Sequence, residues 1–229
     1  MSAFTGFSQD TVQFLTDLHF NNDKAWFDAN RPRYEEHWLA AGRAFVEAAG
    51  EALAQIAPDV VAEPKVNGSL FRINRDTRFS NDKTPYKDHL DVWMWDGCAR
   101  KEAATGFFLR VTPDDVGIGV GAHGFDKERL ARYRDLVVNP ASGGALRGAV
   151  AAVTRAGMSV EGEQYKRLPK GFEEPADPES ARLLRFGALW AHQTVEHPPA
   201  MSSRRFVSWC LTRWRKQLPI HEWLRDNLQ

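Results

Sequence analysis

The residues that could do chemistry crowd into one stretch of this chain. Between positions 65 and 87 lie six cations, Lys65, Arg72, Arg75, Arg78, Lys83 and Lys87, against two carboxylates, Asp76 and Asp82, a local excess of +4. The whole chain is neutral, with 30 basic and 30 acidic residues. Basic surface is therefore local, and the balance argues against a globally electropositive nucleic-acid binder. Planar arginine forks grip carboxylate and phosphate with paired N–H bonds, while lysine adds a mobile point charge. The combination suits an anion, foremost a phosphate. Arg72, Asn74, Arg75, Arg78 and Lys83, joined by Asn22, are the expected ligand-binding residues. Asp76 and Asp82 would orient these cations or act as a base, and His123 is a further candidate for acid–base work. The competing reading is architectural: arginines and aspartates this close in sequence can pair and stiffen a turn without any ligand. Lys65 and Lys87 read as solvated side chains, and Tyr86 as a core ring.

The elements around this stretch decide what it can do. A strand over 70–75 would send Arg72 and Asn74 to one face and Ile73 and Arg75 to the other. Beyond Arg75 the pattern breaks into turns, because Asp76 and Ser80-Asn81-Asp82 suit side-chain-to-backbone bonds. Pro85 holds Thr84 extended, so the chain folds back on itself. Asn21-Asn22-Asp23-Lys24 forms a polar knot ahead of Trp26 and Phe27. It reads either as a loop lining the site or as a capped helix junction with a ring anchor. Gly117, Gly119 and Gly121 share one strand face, which implies a close neighbour there. This glycine strand and the Asn21–Lys24 loop are expected to line the pocket with the central stretch.

Taken in order, Ser8 starts a helix whose apolar face carries Phe14, Leu15 and Leu18. Asp23 starts a short second helix. From Asn30, with Pro32 in the first turn, a long helix is predicted to run through Tyr34, Trp38, Phe45, Leu53 and Ile56 to Pro58. Strands follow over 90–95, 106–111 and 116–121, the last two joined as a hairpin by Pro113-Asp114-Asp115. Helices return over 126–138 and 142–156. Residues 161–180 read as a surface loop. A short helix from Pro178, a strand over 188–195 and a helix over 200–217 complete the chain. The sum is an α+β fold, one domain over 1–229 with a mainly antiparallel sheet packed with helices. Its helices fall at about 8–57, its strands at about 66–122 and its C-terminal helices at about 126–229.

Other chemistries find little support. Cys98 and Cys210 offer no metal-binding pair and read as buried thiols. The seven histidines are scattered, with no HExxH spacing. No metal and no cofactor are expected. No GxSxG or Walker-type loop occurs, and the GxGxG of 117–121 sits in a strand, where it is no phosphate fingerprint. The residues from Met1 to Gly6 lack a basic start and an apolar run, and no stretch approaches 18 apolar residues, so a cytoplasmic chain without membrane contact is expected. The last helix sets Arg204, Arg205, Arg213, Arg215 and Lys216 among Trp209 and Trp214. That arrangement could serve nucleic acid, but its apolar stripe reads first as ordinary amphipathicity. The expected partner is an anionic small molecule, with nucleic acid or a protein partner as the alternative. Nothing in the sequence sets an oligomeric state.

Several of these segments together carry a likeness. They are Phe4-Thr5-Gly6-Phe7, Asn21-Asn22-Asp23-Lys24-Ala25-Trp26-Phe27 with Arg33-Tyr34-Glu35, and the run from Phe71 to Lys87. Gly119-Val120-Gly121 and Leu168-Pro169-Lys170-Gly171-Phe172 extend it. The chain resembles the bacterial family catalogued as domain of unknown function 2461, departing from its pattern at Ala122-His123, where an aromatic would follow the glycines. The resemblance implies a shared fold and names no activity.

Overall fold

Ser8 starts the first helix, α1 (Gln9–Phe20), with its hydroxyl accepting from the Thr11 N–H at 3.3 Å. The computed structural model describes residues 3–228; Met1, Ser2 and Gln229, which the terminal readings included, lie outside the described residues. Asp23 caps α2 (Lys24–Ala29) through the Trp26 N–H at 2.9 Å. The predicted long helix is instead a succession: α3 (Arg31–Arg33), a π-helical segment (Tyr34–Ala40) and α4 (Ala41–Leu53). Asn30 stands ahead of α3 but gives no side-chain cap; its amide donates backward to the Trp26 carbonyl. The helix also stops short of Pro58, because the Leu53 carbonyl accepts from both Ile56 and Ala57 and tightens the chain into turns.

A six-stranded antiparallel sheet follows in the order β1-β2-β3-β4-β6-β5. Its strands are β1 (Val60–Val61), β2 (Leu90–Asp96), β3 (Gly106–Val111), β4 (Asp115–Ala122), β5 (Ser159–Glu163) and β6 (Phe186–Glu196). The fold class is therefore α+β, as the sequence implies. The β3–β4 hairpin closes on Thr112, whose hydroxyl accepts from the Asp114 and Asp115 N–H groups at 3.1 and 2.9 Å. The close neighbour of the glycine face is β6. A methyl group on Gly119 would lie 2.9 Å from the Ala191 carbonyl oxygen, and one on Gly121 closer still to that of Leu189. Two expectations fail here. No regular strand forms over 70–75, where isolated bridges pair Leu70 with Val92 and Asn74 with Tyr86. The predicted loop over 161–180 begins with the end of β5, which alternates exposed and buried residues along its length.

By its internal contacts the chain falls into two units. The first takes in the chain up to Met94, Phe108–Ile118 and Thr194–Thr212. Its core rests on rings: Phe7 and Phe45 each lie 5.2–5.8 Å from Phe4 and from Phe206, centroid to centroid, mostly edge to face. A second ring series runs from Tyr86 stacked on Phe27 at 4.1 Å, through Tyr34, to Trp38.

The second unit takes in Trp95–Phe107, Gly119–Gln193 and the chain from Arg213 onward. Helices α5 (Lys127–Val138), α6 (Pro140–Arg155) and α7 (Pro178–Leu183) pack Tyr133, Val137, Leu146, Val153 and Leu183 with Phe186 and Leu189 of β6. The last helix, α8 (Arg205–Leu228), continues past its predicted end at Gln217 and carries Pro219 inside. A proline within a helix costs about 3 kcal/mol. Ile220, Trp223, Leu224 and Leu228 are buried beyond it, and at about 1.5–3 kcal/mol each they outweigh that cost. Phe206, Cys210, Trp214 and Gln217 are buried while Arg204, Arg205, Arg215 and Lys216 are exposed, which is the amphipathic helix the spacing predicts. Among the described residues no single helix is long and apolar enough to cross a membrane.

Candidate functional site

The segment 70–87 folds back on itself through its own backbone. The Arg75 N–H donates to the Pro85 carbonyl at 2.9 Å and the Lys87 N–H to that of Ile73 at 2.8 Å. Asn22 locks this fold from outside, donating to the Tyr86 carbonyl at 2.9 Å and accepting from the Tyr86 N–H at 3.0 Å. The polar knot thus acts on the segment through its far end, and Phe27 stacks on the same Tyr86 ring.

Most of the charges inside the loop answer one another. Arg75 donates to the carboxylate of Asp82 and to the Thr84 hydroxyl. Asp82 in turn accepts from the Thr84 N–H at 3.0 Å. That backbone bond first, and Arg75 next, hold the Asp82 carboxyl down at about 2. Arg78 grips Asp76 with two parallel bonds of 2.9 and 2.7 Å, which lowers the Asp76 carboxyl. Lys83 donates to the Thr77 carbonyl at 2.8 Å. Asn74 and Arg72 are exposed, with Arg72 close enough to bias Asp76.

A second polar group begins where this loop ends, at the entry to β2. Asp91 is buried near the start of β2, between Leu90 and Val92, and is 5% exposed. Arg110, on neighbouring β3, grips it with two bonds of 2.7 and 2.9 Å. The Nε2 of His89 lies 3.3 Å from the same carboxylate and its Nδ1 3.1 Å from Asp88. Burial alone would raise the Asp91 carboxyl, but His89 and Arg110 outweigh it and bring it to about 2. Asp88 also accepts from the Nδ1–H of His19 at 2.7 Å. Burial raises the Asp88 carboxyl too, and the two histidines bring it below its usual range. A carboxylate orienting an imidazole in this way is the base–orienter arrangement of acid–base sites, and His19 is more than half exposed.

Lys87 ties the two groups together. Half-buried, it lies 5.1 Å above the exposed Phe71 ring. Burial lowers its ammonium pKa, Asp91 pulls it up, and Arg110 and Arg72 push it down again. It was expected to be simply solvated and is not. What gathers around Lys87 is therefore Asp91, Arg110 and Arg72, a set that shares only Arg72 with the expected site residues. Arg110, Asp91 and His89 escaped the sequence reading. Their signal was present: charged residues placed inside alternating apolar strands need a partner across the sheet.

The remaining candidates stand elsewhere. His123 belongs to the second unit, exposed at the end of β4 with its ring 5.4 Å from that of Trp190. Cys98 is exposed in the β2–β3 connection, against expectation, because Asp96 draws the Cys98 N–H into a turn at 2.9 Å. Cys210 is buried as expected. The second unit also holds a buried pair no motif announced, His221 and Asp96, 3.5 Å apart, with Thr105 beside the ring at 3.3 Å. Burial brings the His221 pKa down to about 4, only partly opposed by Asp96.

No curated protein matches the chain. Residues 10–223 match the family described as a conserved hypothetical protein (DUF2461), a span that holds every resembling segment except Phe4-Thr5-Gly6-Phe7. The chain belongs to that family.

Proposed function

We propose that the first unit binds a small molecule bearing phosphate or carboxylate groups on the surface carrying Arg72, Lys87 and Arg110. The observation that carries this reading is the state of Lys87. It is half-buried beside the Phe71 ring in the joint field of two arginines, and Asp91, the carboxylate that offsets that field at Lys87, is already engaged by Arg110 and His89. An arriving anion relieves that repulsion, and the exposed Phe71 ring offers an apolar edge beside it.

The test is a thermal-shift titration with phosphorylated metabolites and simple dicarboxylates. A ligand at 100 times its dissociation constant adds about 2.7 kcal/mol, which for a chain of this size raises Tm by roughly 5–10 °C. Lys87→Ala and Arg72→Ala should each weaken the ligand at least about tenfold, the loss of one charge-assisted bond. A panel without any shift, or variants that bind as tightly as wild type, would defeat the reading.

A second reading is favoured for the rest of the loop. With Arg75 held by Asp82 and Thr84, and Arg78 by Asp76, we assign these residues to keeping the loop's shape rather than to holding a ligand. A nucleic-acid role finds no comparable support, since the exposed cations of α8 form the solvated face of an amphipathic helix.

A further inference from the structure

The second unit holds a different concentration of positive charge. An open cleft of about 590 Å³ is lined by Arg134 of α5 together with Tyr165, Lys166, Arg167, Pro169 and Lys170, and by Leu168. It carries four cations and no carboxylate, in a chain whose charges balance.

The contrast with the other arginines of the same unit is informative. Arg147 reaches Asp177, Arg182 reaches Glu179, Arg185 reaches Glu163 and Arg225 reaches Asp226, at 2.6–3.4 Å. Among the described residues the four cleft cations reach no carboxylate: Glu163, three residues before Lys166, is already held by Arg185, and Asp135 and Glu173, next to Arg134 and near Lys170 in sequence, pair with none of them. Arg134 lies with its guanidinium 4.8 Å over the Tyr165 ring. Its Nε is closed off from solvent without an acceptor, so the group carries bonding capacity that the described residues do not use.

The cleft wall is also anchored. The Gln164 and Tyr165 N–H groups both donate to the Arg185 carbonyl at 3.0 Å, and Leu168 and Phe172 pack against the buried core. The Phe172 N–H closes a turn on Pro169, with Gly171 at a φ of +93°. Four like charges are thus gathered on one concave surface whose backbone is anchored, and their summed field attracts an anion. Four charges exceed what a single phosphate needs.

We propose that this cleft is a binding site for a ligand carrying two or more linked phosphate groups, separate from the anion surface of the first unit. Arg134 and Tyr165 form its fixed wall, and Lys166, Arg167 and Lys170 supply mobile charge.

The test is isothermal titration of the full chain with inorganic tripolyphosphate, with orthophosphate and a nucleoside triphosphate run alongside. Tripolyphosphate should bind at least about tenfold more tightly than orthophosphate, and its affinity should fall steeply with added salt. Arg167 and Lys170 are exposed, so Arg167→Glu with Lys170→Glu should leave Tm unchanged and lower the affinity at least about tenfold. Lys166→Ala should give a smaller loss in the same direction. Lys87→Ala, which removes a cation of the anion surface in the first unit, should leave intact the component of tripolyphosphate binding that the double variant weakens. Tighter binding of the nucleotide than of tripolyphosphate, lost in the same double variant, would support the site and mark the ligand as a nucleotide. Absence of tripolyphosphate binding, equal binding by the double variant, or binding lost in Lys87→Ala and wholly retained in the double variant would overturn the proposal.

Discussion

Asp82 and Asp91 are both held at a pKa of about 2, yet they belong to different kinds of structure. Asp82 is exposed on a loop, and its strongest partner is a backbone N–H two residues away, with Arg75 second. Asp91 is buried in β2, and its partners come from a different strand and from His89. Around Asp82 water screens the charges and the partners come nearly free of chain-closure cost. Around Asp91 the charge has left water, and only the fold brings Arg110 to it. Equal acidity therefore does not mean equal contribution to stability: the loop pair sets local shape, whereas the strand pair is part of the core.

That difference can be broken from either side. Asp91→Ala strands Arg110 and His89 without their acceptor. Breaking a buried pair costs about 3–5 kcal/mol, and because Arg110 reaches water the lower end, about 3 kcal/mol, applies. The melting temperature should fall by roughly 6–12 °C, measured by calorimetry. A drop as small as that of a surface substitution would remove Asp91 from the core account.

Acid comes next. The folded value of Asp91, about 2, lies below its ordinary 3.8. Its contribution is therefore present above the ordinary value and lost as pH falls through the folded one. Between pH 4 and pH 2 the wild type should lose roughly 2 kcal/mol from this group. Asp91→Asn should flatten that limb of the stability curve, and an unchanged slope would contradict the assignment.

The loop should yield less. Arg75→Ala removes the bonds to Asp82 and Thr84 but leaves both able to turn to water, so Tm should fall by only roughly 2–4 °C. A fall as deep as that of Asp91→Ala would make the loop pair part of the core as well. Arg78→Ala is the smallest case. Its side chain is 76% exposed, and surface pairs of this kind leave Tm within error.

The two regions also differ in how far they could be read from residues alone. The internal pairing of the loop was legible because its partners are two to nine residues apart: Asp76 with Arg78, and Arg75 with Asp82 and Thr84. The caps at Ser8 and Asp23 and the β3–β4 hairpin were legible for the same reason. Side-chain bonds across two or three residues depend on local geometry, which residue type and spacing specify. Where the reading went astray, distant neighbours decided. The 70–75 segment looked like a strand until its pairing with 85–87 bent it away. The chain runs helical past Pro219 because burial downstream outweighs a local penalty.

What the sequence determined by itself, then, is the class of the fold, the place of most elements, the fold-back of 70–87 and its excess of charge. These follow from periodicity and short-range bonding, which act along the chain. What only the tertiary structure decided is which charges are left to act. It spends Arg75 and Arg78 on neighbouring carboxylates, buries Asp91 under Arg110 from the next strand, and leaves Arg72 and Lys87 beside them. In the second unit it leaves Arg134, Lys166, Arg167 and Lys170 without a carboxylate partner among the described residues. The physical reason is that ion pairing is settled by distance in space and by desolvation, and neither is a property of the order of residues.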